Sequence, residues 1–118
     1  MKRNLVIFFL FFILILGGFL RFYKIDQVPV SLYWDETASA YNAYSIALTG
    51  KDEYGTSFPL LFRSFDDYKA PGNIYLTSLA VRLFGLNEFS ARFTSAFLGT
   101  VSILITYLLI SEIFNEKE

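Results

Sequence analysis

The side chains best suited to chemistry in this chain are Asp35 and Glu36, preceded by Tyr33 and Trp34, and a single lysine, Lys69, some thirty residues further on. Adjacent carboxylates can accept and return a proton, and an ammonium group can hold a departing phosphate. Histidine and cysteine are both absent. That removes imidazole proton transfer, thiolate nucleophiles, disulfides and the usual zinc ligands. Any reaction would have to run on carboxylates, Lys, Tyr or hydroxyls. The composition implies no cofactor and no resident metal, although an oxygen-ligand Mg²⁺ or Ca²⁺ site stays open, with Asp66-Asp67 as its obvious pair.

Each of these residues also has a plain structural use. Asp35 can serve as the N-cap of a following helix, with Glu36 in its favourable first turn. Lys69 precedes Ala70-Pro71-Gly72 at a helix start, where a cation and free backbone N–H groups suit a phosphate; a snorkelling lysine fits the same position. Arg92 is able to pair with a lipid phosphate or a loop carboxylate, or to act as an interfacial anchor. Tyr33, Trp34, Tyr41 and Tyr44 read equally as a sugar-stacking surface and as an aromatic belt. Asp66-Asp67 in a polar loop is most simply a solvated pair.

The elements that must position these groups are written in the hydropathy. Of 118 residues, 54% are hydrophobic and 19% aromatic, an excess that suits a membrane protein rather than a small soluble domain. The net charge of −1 supplies no basic stripe, so nucleic acid is excluded as a partner. Leu5 to Leu20 holds only Leu, Val, Ile, Phe and two glycines. The apolar members each favour insertion by roughly 0.3–0.6 kcal/mol, on the order of 4–8 kcal/mol together. Extended to Tyr23, with Arg21 snorkelling, the stretch can cross a ~30 Å hydrocarbon core. A cleaved signal peptide is the rival, but its apolar part should be shorter and followed by a small-residue cleavage site, and the first alanine here is Ala38. A second span, Phe93 to Ile110, carries no charge but contains Thr94, Ser95, Thr100, Ser102 and Thr106. Such hydroxyls suit a helix that faces other helices, which points to further spans. Lys2 and Arg3 predict a cytoplasmic N-terminus, an outer loop that is extracellular or periplasmic, and a cytoplasmic C-terminus.

The intervening segment is too long to lack structure. One helix follows Asp35 and runs to Leu48, with Thr37, Tyr41, Tyr44 and Leu48 on one face and Gly50 as its stop. Another begins at Pro71 and continues through Ile74, Leu76, Leu79, Ala80, Leu83 and Phe84 to Gly85. Both are amphipathic and suit the membrane interface. Asn87 caps the second span, and Lys51 to Asp67 reads as an irregular loop. The predicted class is an all-α membrane protein: a span over about 4–23, an outer loop over about 24–88 with two interfacial amphipathic helices, and a span over about 89–114. No strand is required.

The order Trp34-Asp35-Glu36, a Tyr- and Ala-rich helix, Tyr68-Lys69-Ala70-Pro71, then Phe84-Gly85-Leu86-Asn87-Glu88-Phe89-Ser90-Ala91-Arg92 entering a span, resembles the N-terminal part of C-type membrane glycosyltransferases. The closest likeness is to the protein O-mannosyltransferase and lipid A aminoarabinose transferase branch, over roughly residues 20 to 110. The resemblance implies transfer of a sugar from a polyprenyl-phosphate donor to an acceptor hydroxyl on the outer face of the membrane. It implies that Asp35, with Glu36 beside it, is the base or acceptor-binding acid, and that Lys69 contacts the lipid phosphate. Tyr68 and Ala70 stand where the aminoarabinose branch carries an acid and a second proline, so that branch's acceptor does not carry over. Members of the family have many more spans, so the expectation is a fragment of a larger multi-span fold, partnered by membrane lipid and by the remaining spans of a split enzyme. Two alternatives stand beside it: a small non-enzymatic two-span protein that docks onto a larger complex, and an anchored polysaccharide-binding module.

Overall fold

A computed structural model describes residues 3–64 and 67–115. They are mostly helical, with α1 at Arg3–Phe22, α2 at Trp34–Thr49, α3 at Pro71–Phe84 and α4 at Glu88–Asn115. Between α2 and α3 lies one antiparallel hairpin, β1 at Phe62–Ser64 and β2 at Asp67–Lys69. α1 and α4 are long and apolar enough to cross a membrane. Their 20 and 28 residues correspond to about 30 and 42 Å of helix. The chain divides into two compact units, one of Met1–Tyr23 with Ala96–Glu118 and the other of Lys24–Ser95.

In the first unit, α1 meets the later turns of α4 through small residues. A methyl group at Gly17 would stand 2.5 Å from Ile103 Cδ1, one at Gly99 would stand 2.7 Å from Arg21 Nε, and one at Gly18 would lie 3.5 Å from Thr100. Glycine is what lets the backbones approach there, as in helix pairs packed in lipid. Towards the start of α1 an apolar cleft of about 330 Å³ opens between Phe9 and Ile13 on one side and Tyr107 and Ile110 on the other. The hydroxyls of α4 have a different use from the one expected. Thr100 and Thr106 donate to the carbonyls four residues back, at Ala96 and Ser102, and Ser102 and Ser111 donate three back. They are satisfied within their own helix, so they make no demand for a partner helix.

The second unit is built on the α2–α3 pair. Its core joins Ala43 and Ile46 of α2 to Ile74 and Val81 of α3, with Phe62 of β1 fully buried among them. The large apolar side chains point the other way: Tyr41 and Leu48 on α2 and Leu76, Leu79 and Leu83 on α3 are exposed. The Tyr41–Leu48 stripe is thus an outward face, and alanines together with Ile46, Ile74 and Val81 make the helix contact.

Lys51 to Ser64 is more ordered than its composition predicts. Asp52 Oδ1 accepts from the amides of Tyr54 and Thr56 at 3.0 and 2.7 Å, and its own amide donates to Thr56 O. Gly50 ends α2 at φ 69°, and a Cβ there would lie 2.9 Å from the Phe58 ring, so the position suits only glycine. The hairpin contradicts the strand-free expectation. Strands of three residues carry too little alternation to read from sequence; Phe62 creates β1 by burying itself and holding its backbone beside β2. Of the expected Asp66-Asp67 cation pair, Asp66 lies outside the described residues.

Candidate functional site at the start of the second helix

α2 starts two residues earlier than expected, and Tyr33 rather than Asp35 is its N-cap. The cause is Glu36, whose Oε2 accepts the Tyr33 amide at 3.0 Å, while Tyr33 O takes the amide of Thr37 as the first helical bond. Glu36 therefore occupies the third helical position of a capping-box arrangement. Asp35 makes no cap bond, and its side chain is released for other use.

Consecutive helical residues point about 100° apart, and here the two acids separate to two cations. Asp35 Oδ1 forms an ion pair with Lys69 Nζ. Glu36 Oε2 lies 3.3 Å from Arg92 Nη2. Lys69 reaches its partner through the hairpin. Phe62 is anchored in the core and stacks edge-on against Tyr75, and it pairs in register with Lys69 at the end of β2. Lys69 is then followed by Ala70 and the first turn of α3, where Pro71 takes the position that needs no amide donor.

The two ion pairs differ in kind. The Asp35 side chain is 65% exposed and that of Lys69 17%, so this pair sits at an open surface. Arg92 is 7% exposed and its terminal nitrogens are fully engaged: Nη1 donates to Ile25 O and Pro29 O, and Nη2 to Ser31 O and Glu36. Arg92 thus gathers residues 25–31 and fixes the approach to α2. It is a positioning residue, with no terminal N–H left for a lipid phosphate. Glu36 is committed to the Tyr33 amide and to Arg92, which makes it a positioning group as well.

Tyr33 and Trp34 are exposed at the helix start, and Tyr68 is exposed on the hairpin. Among the sequence-predicted residues, the structure brings together Asp35 with Lys69 and Glu36 with Arg92, and leaves the aromatics on the surface around them. Among the described residues, no cluster of three or more acids is arranged to hold a metal ion. Sequence reasoning missed Phe62, which sets Lys69, and Asn42, a buried polar residue on the small-residue face of α2. A lone asparagine between alanines on that face was the available signal.

Chemically, an open carboxylate–ammonium pair can exchange partners. A phosphate can take the ammonium, and the carboxylate is then free to accept a proton. Comparison with family models, with curated proteins and with solved structures finds no match to this chain.

Proposed function

We propose that this chain supplies the base and the phosphate-holding lysine of a membrane glycosyltransferase that uses a polyprenyl-phosphate sugar. The observation that carries the reading is the Asp35–Lys69 pair, contributed by residues 34 apart in sequence, with its carboxylate open to solvent and its lysine half-buried. Exposed ion pairs contribute about 0–1 kcal/mol, so stability gives little reason for it. The donor's prenyl tail must stay in lipid, which suits a site carried between two helices long and apolar enough to span. In this reading α1 and α4 cross the membrane, the N-terminus is cytoplasmic and Lys24–Ser95 lies on the outer face. The outward apolar faces of α2 and α3 support contact with lipid or with further spans of the same enzyme.

The reaction follows from the pair. The donor phosphate draws Lys69 away from Asp35. Asp35 then takes the proton of the acceptor hydroxyl while that oxygen bonds to the anomeric carbon. The bond from that carbon to the phosphate oxygen breaks, and polyprenyl phosphate departs with its charge held by Lys69. Attack opposite the leaving group inverts the anomeric centre. Arg92 and Glu36 hold the start of α2 in place throughout.

Two variants test the assignment. Lys69→Gln should weaken binding of polyprenyl phosphate to the chain in micelles. Asp35→Asn should leave that binding intact and abolish sugar transfer in membranes where the chain supports it. Retained turnover in Asp35→Asn removes Asp35 from the base role.

A further inference from the structure

Beyond the ion pairs, Lys24–Ser95 holds a concavity of mixed polar and apolar lining, between α2 and the turn that follows it. Its volume is about 200 Å³, and Thr37, Ala38, Tyr41, Glu53 and Tyr54 line it. That is below the roughly 300–1,000 Å³ of sites for drug-sized ligands, which leaves room for one ring-sized molecule.

The cleft is built rather than accidental. Asn42, 1% exposed, grips Glu53 from behind: its Nδ2 donates to Glu53 Oε1 and to Ala38 O, and its Oδ1 accepts the Glu53 amide, all at 3.1 Å. One carboxylate oxygen is thereby fixed, and the other has no protein partner among the described residues. The Asp52 turn holds the adjacent Tyr54 backbone. Thr37 gives its hydroxyl proton to Tyr33 O, so towards the cleft its oxygen can only accept.

Glu53 and Thr37 thus offer acceptors, beside two exposed tyrosines whose hydroxyls can donate or accept. The ligand must bring hydrogen-bond donors and an apolar face. A polyol ring and an organic ammonium both meet that demand, but Arg63 lies over the Tyr54 ring, 5.4 Å from its centroid. A guanidinium there already supplies the positive charge that an ammonium would bring.

We propose that this cleft binds one sugar ring, with its C–H face on tyrosine and neighbouring hydroxyls donating to Glu53 and Thr37. Tyr41 lies six residues beyond Asp35, about 9 Å along the same helix and roughly 120° around it, so the cleft opens on a different face of α2 from the acid. Resting on the transferase reading for its role, the cleft anchors a saccharide portion of the acceptor away from the reacting acid.

The test is titration of the full chain in detergent micelles with methyl glycosides of glucose, galactose, mannose and N-acetylglucosamine, followed by ligand-observed NMR, with tetramethylammonium as a comparison. Saturable binding of at least one glycoside is expected, weakened at least about tenfold in Glu53→Gln and Tyr54→Ala. Glutamine keeps the oxygen that Asn42 grips, so Glu53→Gln should retain the wild-type circular dichroism. The proposal is overturned by no saturable binding of any of the four, by equal binding in the Glu53 and Tyr54 variants, or by a preference for tetramethylammonium. The titration needs neither donor lipid nor turnover, so it can fail while Asp35→Asn still abolishes transfer, and the reverse.

Discussion

Asp35 and Arg92 mark the two ends of what a charged side chain can do in this fold. Asp35 is exposed, and removing its charge should change unfolding stability by less than about 1 kcal/mol, so a loss of transfer in Asp35→Asn cannot be charged to unfolding. Arg92 serves three carbonyls and one carboxylate from a buried position. Arg92→Met should destabilise Lys24–Ser95 by roughly 2–5 kcal/mol, because it leaves several desolvated acceptors unpaired. Arg92→Lys should recover only part of this, since an ammonium has three donors and no planar fork. Denaturant unfolding in micelles measures both; an Arg92→Met variant as stable as the wild type would show that water can replace the clamp. From sequence, Arg92 was legible as a cation at the mouth of a span, and pairing with a loop carboxylate was one of its readings. Its three carbonyl partners were not legible, because backbone acceptors carry no residue signature.

At the scale of elements, the helix ends follow local chemistry and the contacts follow packing. Gly50 and Pro71 bound α2 and α3 as expected, and Asn87 Oδ1 accepts the Ser90 amide at 2.9 Å in the first turn of α4. The close approach of α1 and α4 rests on Gly17, Gly18 and Gly99. With no native cysteine, the double variant Gly18→Cys with Thr100→Cys should form a disulfide under mild oxidation. Adding Gly17→Leu should sharply reduce its yield by pushing against Ile103, and an undiminished yield would mean that the glycine contact does not set the helix spacing.

α3 carries a pH-dependent contact outside the apolar spans. The Tyr75 hydroxyl donates to Pro59 O at 2.8 Å. Partial burial, and secondarily the negative charge of Asp52, raises its pKa above the ordinary value of about 10.0. The raised value means that the protonated phenol is favoured in the folded state. Its contribution is complete below pH 10 and is lost as pH rises through the raised value. Tyr75→Phe should cost about 0.5–1.5 kcal/mol at neutral pH, and the gap to wild type should narrow in alkaline unfolding experiments. A gap that is constant with pH would detach the hydroxyl from the folded-state balance.

For the whole molecule, the decisive question is which compartment receives Lys24–Ser95. Val30 is 94% exposed, so Val30→Cys should react with a membrane-impermeant maleimide added outside intact cells. Labelling only after lysis would put the acid pair in the cytosol and end the transferase reading. The two long apolar helices and the exposed Tyr41–Leu48 face of α2 were readable because each rests on composition or on the 3.6-residue period, which are local properties.

What the sequence determined by itself was the set of helices and the inventory of chemistry: two long apolar helices, two shorter ones with glycine stops, and carboxylates and lysine in place of histidine and cysteine. The tertiary structure alone decided which groups meet. Asp35 finds Lys69 because a buried Phe62 creates a hairpin that no alternation announced. Glu36 moves the start of α2 back to Tyr33 and so turns Asp35 out of the cap. Asn42 converts an exposed Glu53 into the fixed wall of a cleft. Each of these depends on contacts between residues distant in sequence, whose free energy comes from burial and desolvation and therefore exists only once the chain has closed on itself.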